Sequence, residues 1–288
     1  MTTAEIIYLT ILIVFIINFF MILFLVFLER KDPKSILPWI FAFLAFPILS
    51  WIIYFFVGKG PKINRKRWSR RKKIADNMIA HEFAYGNLKS YESDDREIRE
   101  LIKLNSNEYL QCTTYNETKI YTDAHEMYED QIKDIKEAKE TVFVLYYLFK
   151  KDDAGRRFLD AMTEKAKEGL KVILVFDDSG NPKTTYSFLR KFIKAGGIVR
   201  PFFPSPFTLI NHNFAYRNHR KIVVIDNKIG YVGGMNIGVD YLSQDKKIKP
   251  WRDTHLRIVG EAVSLLQVRF LQDFSYSCLL YTSDAADD

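Results

Sequence analysis

Cysteine is nearly absent. The chain has two among 288 residues, Cys112 and Cys278, which excludes a disulfide framework and a cysteine metal cluster and suits a reducing compartment. No internal repeat runs through it. No serine or cysteine nucleophile motif points to acyl chemistry, and no glycine-rich dinucleotide loop points to hydride transfer. Acid is missing from Lys59–Lys73 (KGPKINRKRWSRRKK), which carries nine Lys/Arg. With that stretch set aside, the net charge of +7 falls close to neutrality. A uniformly basic, nucleic-acid-coating protein is therefore excluded.

Charge is also missing from two long N-terminal runs. Ile6–Leu28 (IIYLTILIVFIINFFMILFLVFL) and Ile36–Val57 (ILPWIFAFLAFPILSWIIYFFV) hold none, and ERKDPKS separates them. A bilayer core needs about 20 apolar residues as helix, so the pair predicts a transmembrane hairpin. A signal peptide is opposed by the missing basic n-region and the length of the first run. Pro47 predicts a kink in the second, with a buried or re-entrant segment as the alternative. The positive residues after the second run place both termini in the cytosol. The basic stretch then lies on the anionic leaflet, as a topology anchor or as a recruiter of anionic lipid.

Residues 59–106 read as a basic juxtamembrane connector. From Asn107 a regular pattern begins. Ala124–Glu140 places Met127, Tyr128, Ile132 and Ile135 at helical spacing. Thr141–Phe149 (TVFVLYYLF) reads as a strand buried on both faces. Helix Asp153–Glu168, strand Leu170–Phe176 and helix Thr184–Ala195 follow. A Pro- and aromatic-rich loop comes next, holding Phe202, Phe203, Phe207 and Phe214. Strands Lys221–Ile225 and Ile229–Val232, a short helix from Asn236, strand Thr254–Val259 and helix Ala262–Phe274 complete the series. This alternation predicts an α/β domain over 107–274 with a mixed, substantially parallel sheet flanked by helices.

The stretch NHRKIVVIDNKIGYVGGMN carries the chemistry. If a strand begins at His219, side chains alternate so that His219 and Lys221 share a face. Asp226 falls on the other, at the strand's end, where it suits the turn. Gly233 and Gly234 would let backbone approach a ligand. Asn236 at a helix start favours an anion. Imidazole, ammonium, amide and open backbone describe a phosphate site.

These spacings, H-x-K-x4-D followed by G-G-x-N, resemble the phospholipase D superfamily. ERKDPKSILPWIFAFLAFPILSWIIYFFVGKG, KEAKETVFVLYYLFKKDDAGRRFLDAM and WRDTHLRIVGEAV resemble blocks of its bacterial cardiolipin synthases. The resemblance implies a phospholipase D-like fold and a membrane-bound phosphatidyltransferase that condenses two phosphatidylglycerols, with no metal and no cofactor. It counts His219, Lys221 and Asp226 as the catalytic signature, with His219 as nucleophile. Lys221, Asn236, Gly233 and Gly234 would hold phosphate. Asp253 would orient His219, with Glu261 a weaker candidate; His255 and His212 read as packed or solvated. The implied partners are anionic phospholipid and membrane, not nucleic acid, and the implied place is the bacterial cell membrane, multi-pass, with the catalytic part cytoplasmic.

The family builds its site from two such motifs and this sequence holds one. Residues 275–288 do not continue the family pattern and read as a non-native tail. The expectation is a truncated first half; the alternative is pairing with a second copy, each donating a His. A phospholipase D-type hydrolase and a catalytically incomplete anchored protein are the rival functions.

Overall fold

The computed structural model describes residues 2–28, 33–54, 73, 94–107, 113–178, 180–202, 217–243 and 251–284. The chain divides into two compact units, one of Met1–Arg65 with Phe207–Tyr216, the other of Lys66–Pro206 with Arg217–Asp288. The basic stretch to Lys72, Phe203, Phe207, Phe214 and His212 lie outside the described residues.

In the first unit, helix α1 (Thr3–Leu23) passes into a π-helical turn, Phe24–Leu28. A capping box starts it: the Thr2 hydroxyl accepts from Glu5 N–H and the Glu5 carboxylate accepts from Thr2 N–H. Thr3–Phe27 is long and apolar enough to cross a membrane. The second apolar run is not one helix. It forms α2 (Pro33–Ala45) and α3 (Pro47–Ile53), with Phe46 at φ −141° between them. Neither piece reaches the length of a span by itself, so the expected hairpin of two transmembrane helices becomes one long helix and a broken segment.

The cause of the break is Pro47, which has no N–H to give the Phe43 carbonyl four residues back. Asn18 of α1 takes that carbonyl instead, its Nδ2 3.1 Å from Phe43 O. Asn18 Oδ1 also accepts from the Trp51 indole at 3.3 Å, and the Ser50 hydroxyl donates to Ala42 O at 2.7 Å. The amide therefore ties the broken segment to α1. Asn18→Leu is expected to weaken that association by about 0.6–2 kcal/mol. Cross-linking of cysteines placed on α1 and α3 in bicelles reads the loss.

Among the described residues of the second unit, helix α4 (Arg96–Asn107) comes first. Strand β1 (Glu117–Tyr121), helix α5 (Ala124–Glu137), β2 (Thr141–Tyr146), α6 (Asp153–Lys167), β3 (Lys171–Asp177), α7 (Tyr186–Lys194) and β4 (Ile198–Phe202) follow. Then come β5 (Ile222–Ile225), β6 (Ile229–Gly233), β7 (His255–Val259) and α8 (Ala262–Asp284). The seven strands form one sheet in the order β1-β7-β6-β5-β2-β3-β4.

Strand alternation builds a core on each face. Val142, Val144 and Tyr146 of β2 point to one side, where Met127, Tyr128, Ile132 and Ile135 of α5 and Phe158 of α6 pack. Phe143 and Leu145 point to the other, with Val263 and Phe270 of α8. The continuous apolar run of β2 is thus explained by burial on both faces.

Several features differ from the sequence reading. Only β2–β3 and β3–β4 pair in parallel; the other four pairings are antiparallel, so the sheet is mixed and not substantially parallel. The link between β5 and β6 is too short for a crossover. It turns at Asp226 and Asn227, with φ of 52° and 51°, values these short polar side chains tolerate. Strand β4 was not read from the sequence, and its last two residues fall in the Pro-rich loop; its Pro201 is tolerated because β4 is an edge strand. Helix α8 also continues past Phe274 to Asp284, and Tyr276 stacks on Phe202 at 5.2 Å.

Candidate active site

The sheet changes from parallel to antiparallel pairing between β2 and β5. Because β5 runs against β2 and β3, its start meets their carboxyl ends. The end of β6 and the start of β7 reach the same edge. Open α/β sheets bind ligands at such an edge. His219 and Lys221 lie here, just before β5, with Tyr147 after β2, Asp177 ending β3, and Asp253 before β7.

Asn218 N–H donates to Asp177 Oδ2 at 3.1 Å, which fixes the chain as it enters β5. His219 is exposed, while Lys221 is 2 % exposed. The Lys221 ammonium donates to His219 O at 2.8 Å and lies 3.0 Å from His219 Nδ1. The Tyr147 ring packs on His219 with centroids 4.4 Å apart.

Partial desolvation holds the His219 imidazole below its ordinary pKa, and the Lys221 charge adds to this; Asp177 and Asp253 oppose it. Burial pushes the Lys221 ammonium down to about 8, against the pull of Asp253. A neutral imidazole beside an ammonium therefore persists at neutral pH. This pair can attack phosphorus and hold a phosphate oxygen.

The other expected site residues fall differently. Asp226 is not at this edge. It closes the opposite end of β5, where its carboxylate accepts from the N–H of Lys139, Glu140 and Thr141, each at 2.8 Å. Counting it among the catalytic groups is corrected: its geometry is that of a backbone clamp. Glu261 is also remote, bonded to Thr114 N–H at 3.0 Å.

Gly233 and Gly234 do not form an open phosphate cradle. A Cβ on Gly233 would stand 2.5 Å from both His255 Cα and Thr254 O, and one on Gly234 would collide with the Asp253 carboxylate. The glycines make room for β7 and its lead-in. Asn236 starts no helix. It is 5 % exposed, its Oδ1 accepts from Leu148 N–H at 3.0 Å, and Tyr241 also bonds it.

Asp253 accepts from Thr254 N–H at 2.7 Å and makes no hydrogen bond to His219. Tyr147, Asp177 and the weight of His255 were missed from the sequence. The signal for Asp177 was available: an acid ending a buried apolar strand, LKVILVFD, at the carboxyl edge of the sheet.

Residues 131–249 match the family model described as cardiolipin synthase, PLD-like domain. Cardiolipin synthase of Listeria innocua serovar 6a is 38% identical over 273 residues, covering 91% of this chain and 56% of the relative. Cardiolipin synthase 2 of Staphylococcus epidermidis is 36% identical over 273 residues, covering 91% and 55%. The chain spans about half the length of these curated relatives. NucT from Helicobacter pylori, a solved structure, is 20% identical with a TM-score of 0.42, covering 57% of this chain and 98% of that one. The matched residues include His219, Lys221 and Asn236, while Asp253 and His255 lie beyond them.

Proposed function

We propose that this chain is the nucleophile-bearing half of a phosphatidyltransferase that makes cardiolipin from two phosphatidylglycerols. The observation that carries the reading is the exposed His219 beside the buried Lys221 at the carboxyl edge of the sheet, within a domain of the cardiolipin synthase type. The His219 ring nitrogen attacks the phosphorus of the first phosphatidylglycerol. The bond to the glycerol head group breaks, and phosphatidyl-histidine forms. The glycerol oxygen takes a proton from a general acid supplied by a second H-x-K-x4-D half, in the same longer protein or in a second copy. The hydroxyl of a second phosphatidylglycerol then attacks the phosphorus, gives its proton back to that group, and frees His219.

Lys221 holds a non-bridging oxygen as charge builds on it. An amide carries two N–H groups, so the bond to Tyr241 leaves Asn236 one for the substrate. Helix α1 and the broken segment anchor the domain in the bacterial membrane as a multi-pass unit, with the catalytic part on the cytoplasmic side. Outside residues 59–73 the charge is close to neutral, which does not favour nucleic acid.

The test supplies phosphatidylglycerol vesicles to the chain together with a second-half polypeptide from a cardiolipin synthase. Cardiolipin and glycerol are the expected products. Phosphatidic acid as the sole lipid product overturns the transferase in favour of a hydrolase, and no lipid turnover overturns both. The pH profile follows from the two shifts. His219 must be neutral, and its pKa is lowered, so the acid limb should lie below the ordinary 6.5. Lys221 must be charged, so activity should fall as pH rises through about 8. Initial rates across that range check both limbs.

A further inference from the structure

His255 is 0 % exposed, and neither ring nitrogen has a hydrogen-bond partner. Buried polar atoms are rarely left this way, because each costs about 1–3 kcal/mol. An aliphatic side chain would fill the position without that cost. The surroundings are also specific. His255 pairs in register with Gly233, whose missing side chain admits the ring. Gly234 likewise admits the Asp253 carboxylate. Asp253 stands two residues ahead of His255, in the lead-in to β7, and its charge acts on the His255 ring. The niche left by the glycine pair thus houses these two side chains.

The charged groups that act on His255 are Asp253 and Lys221. A neutral imidazole has one donor and one acceptor, which complements a carboxylate that only accepts. An ammonium only donates, so His219 Nδ1, 3.0 Å from Lys221 Nζ, must present its lone pair there. When a phosphate oxygen draws Lys221 away, Nδ1 is free to carry the ring proton, and it then needs an acceptor. Asp253 is the nearby carboxylate with an oxygen to spare: its Oδ1 accepts from Thr254 N–H, whereas both oxygens of Asp177 are held, by Asn218 N–H and Gly180 N–H.

We propose that His255 is a positioning residue, whose ring N–H donates to the Asp253 carboxylate and holds it toward His219 Nδ1 when phosphate occupies the site. This rests on the nucleophile role of His219 and adds the device that orients it. The groups facing His219 are Lys221, Tyr147, Asp177 and Asp253; of these only Asp253 is set by His255.

The test is a titration of the full chain in detergent micelles, with labelled histidine and saturating inorganic phosphate, read by NMR. It needs no lipid turnover, so its outcome is separable from that of the transferase assay. His255→Phe keeps the ring volume and removes both nitrogens. It is expected to lower the His219 midpoint by at least about half a pH unit, because Asp253 raises that pKa, while thermal stability is kept. His255→Gln, which keeps a donor, should restore part of the shift. An unchanged His219 midpoint in the folded Phe variant overturns the proposal. Should that variant not fold, Asp253→Asn reads the link from the other end: the His255 ring signals must move when phosphate is added to the native chain and not to the variant. Identical responses in the two overturn it.

Discussion

His219→Ala is expected to abolish formation of a phosphatidyl adduct, a fall of at least about a thousandfold, as for removal of other covalent nucleophiles. The substitution should leave folding intact, since the ring is exposed and its removal uncovers little core. The measurement is intact-protein mass spectrometry after mixing the chain and a second-half polypeptide with phosphatidylglycerol vesicles and quenching in base, because phosphorus–imidazole bonds are acid-labile. Native chain should gain the mass of one phosphatidyl group, localised to His219 by fragmentation. The same adduct on His219→Ala would place the nucleophile elsewhere. Lys221→Met separates the second role. Its adduct should still form, but more slowly by about 10²–10³-fold, the scale for loss of one preorganised charge-stabilising donor.

Asp226→Ala is expected to act on stability and not on chemistry. Three backbone N–H groups lose an ionised acceptor at once. Charge-assisted bonds of this kind are the stronger class. Allowing for the partial exposure of the site, the loss should be about 3 kcal/mol. Denaturant unfolding measures it. Adduct formation per folded molecule should stay at the native level, since the carboxylate lies at the far end of β5 from His219. Adduct loss with stability unchanged would instead return Asp226 to the catalytic machinery.

The contrast between these two residues shows where sequence reasoning is strong. His219, Lys221 and Asp226 sit within eight positions, and the length of β5 separates the third, at its far end, from the first two at its start. The same local logic found helices α5 and α6 and the buried strand β2. It lost accuracy where a neighbour decides. Strand β4 carries Pro201, which argues against a strand until the sheet edge is seen. The second apolar run reads as a span by composition, yet it breaks at Pro47, and Asn18, 25 positions upstream of Phe43, takes the freed carbonyl. Gly233 and Gly234 read as openness toward a ligand, since a bare backbone is compatible with any close neighbour.

Local chemistry by itself therefore determined the imidazole and ammonium ahead of β5, the long apolar N-terminal helix and the α/β class. Each depends on side-chain type and on a periodicity of two or 3.6 residues. Only the tertiary structure decided what fills the space around them. The pairing of Gly233 with His255 joins segments separated by a stretch with no periodic signal. Which residue a glycine makes room for depends on that register. The niche holding Asp253 and His255 is a product of strand order, and no spacing within either segment encodes it.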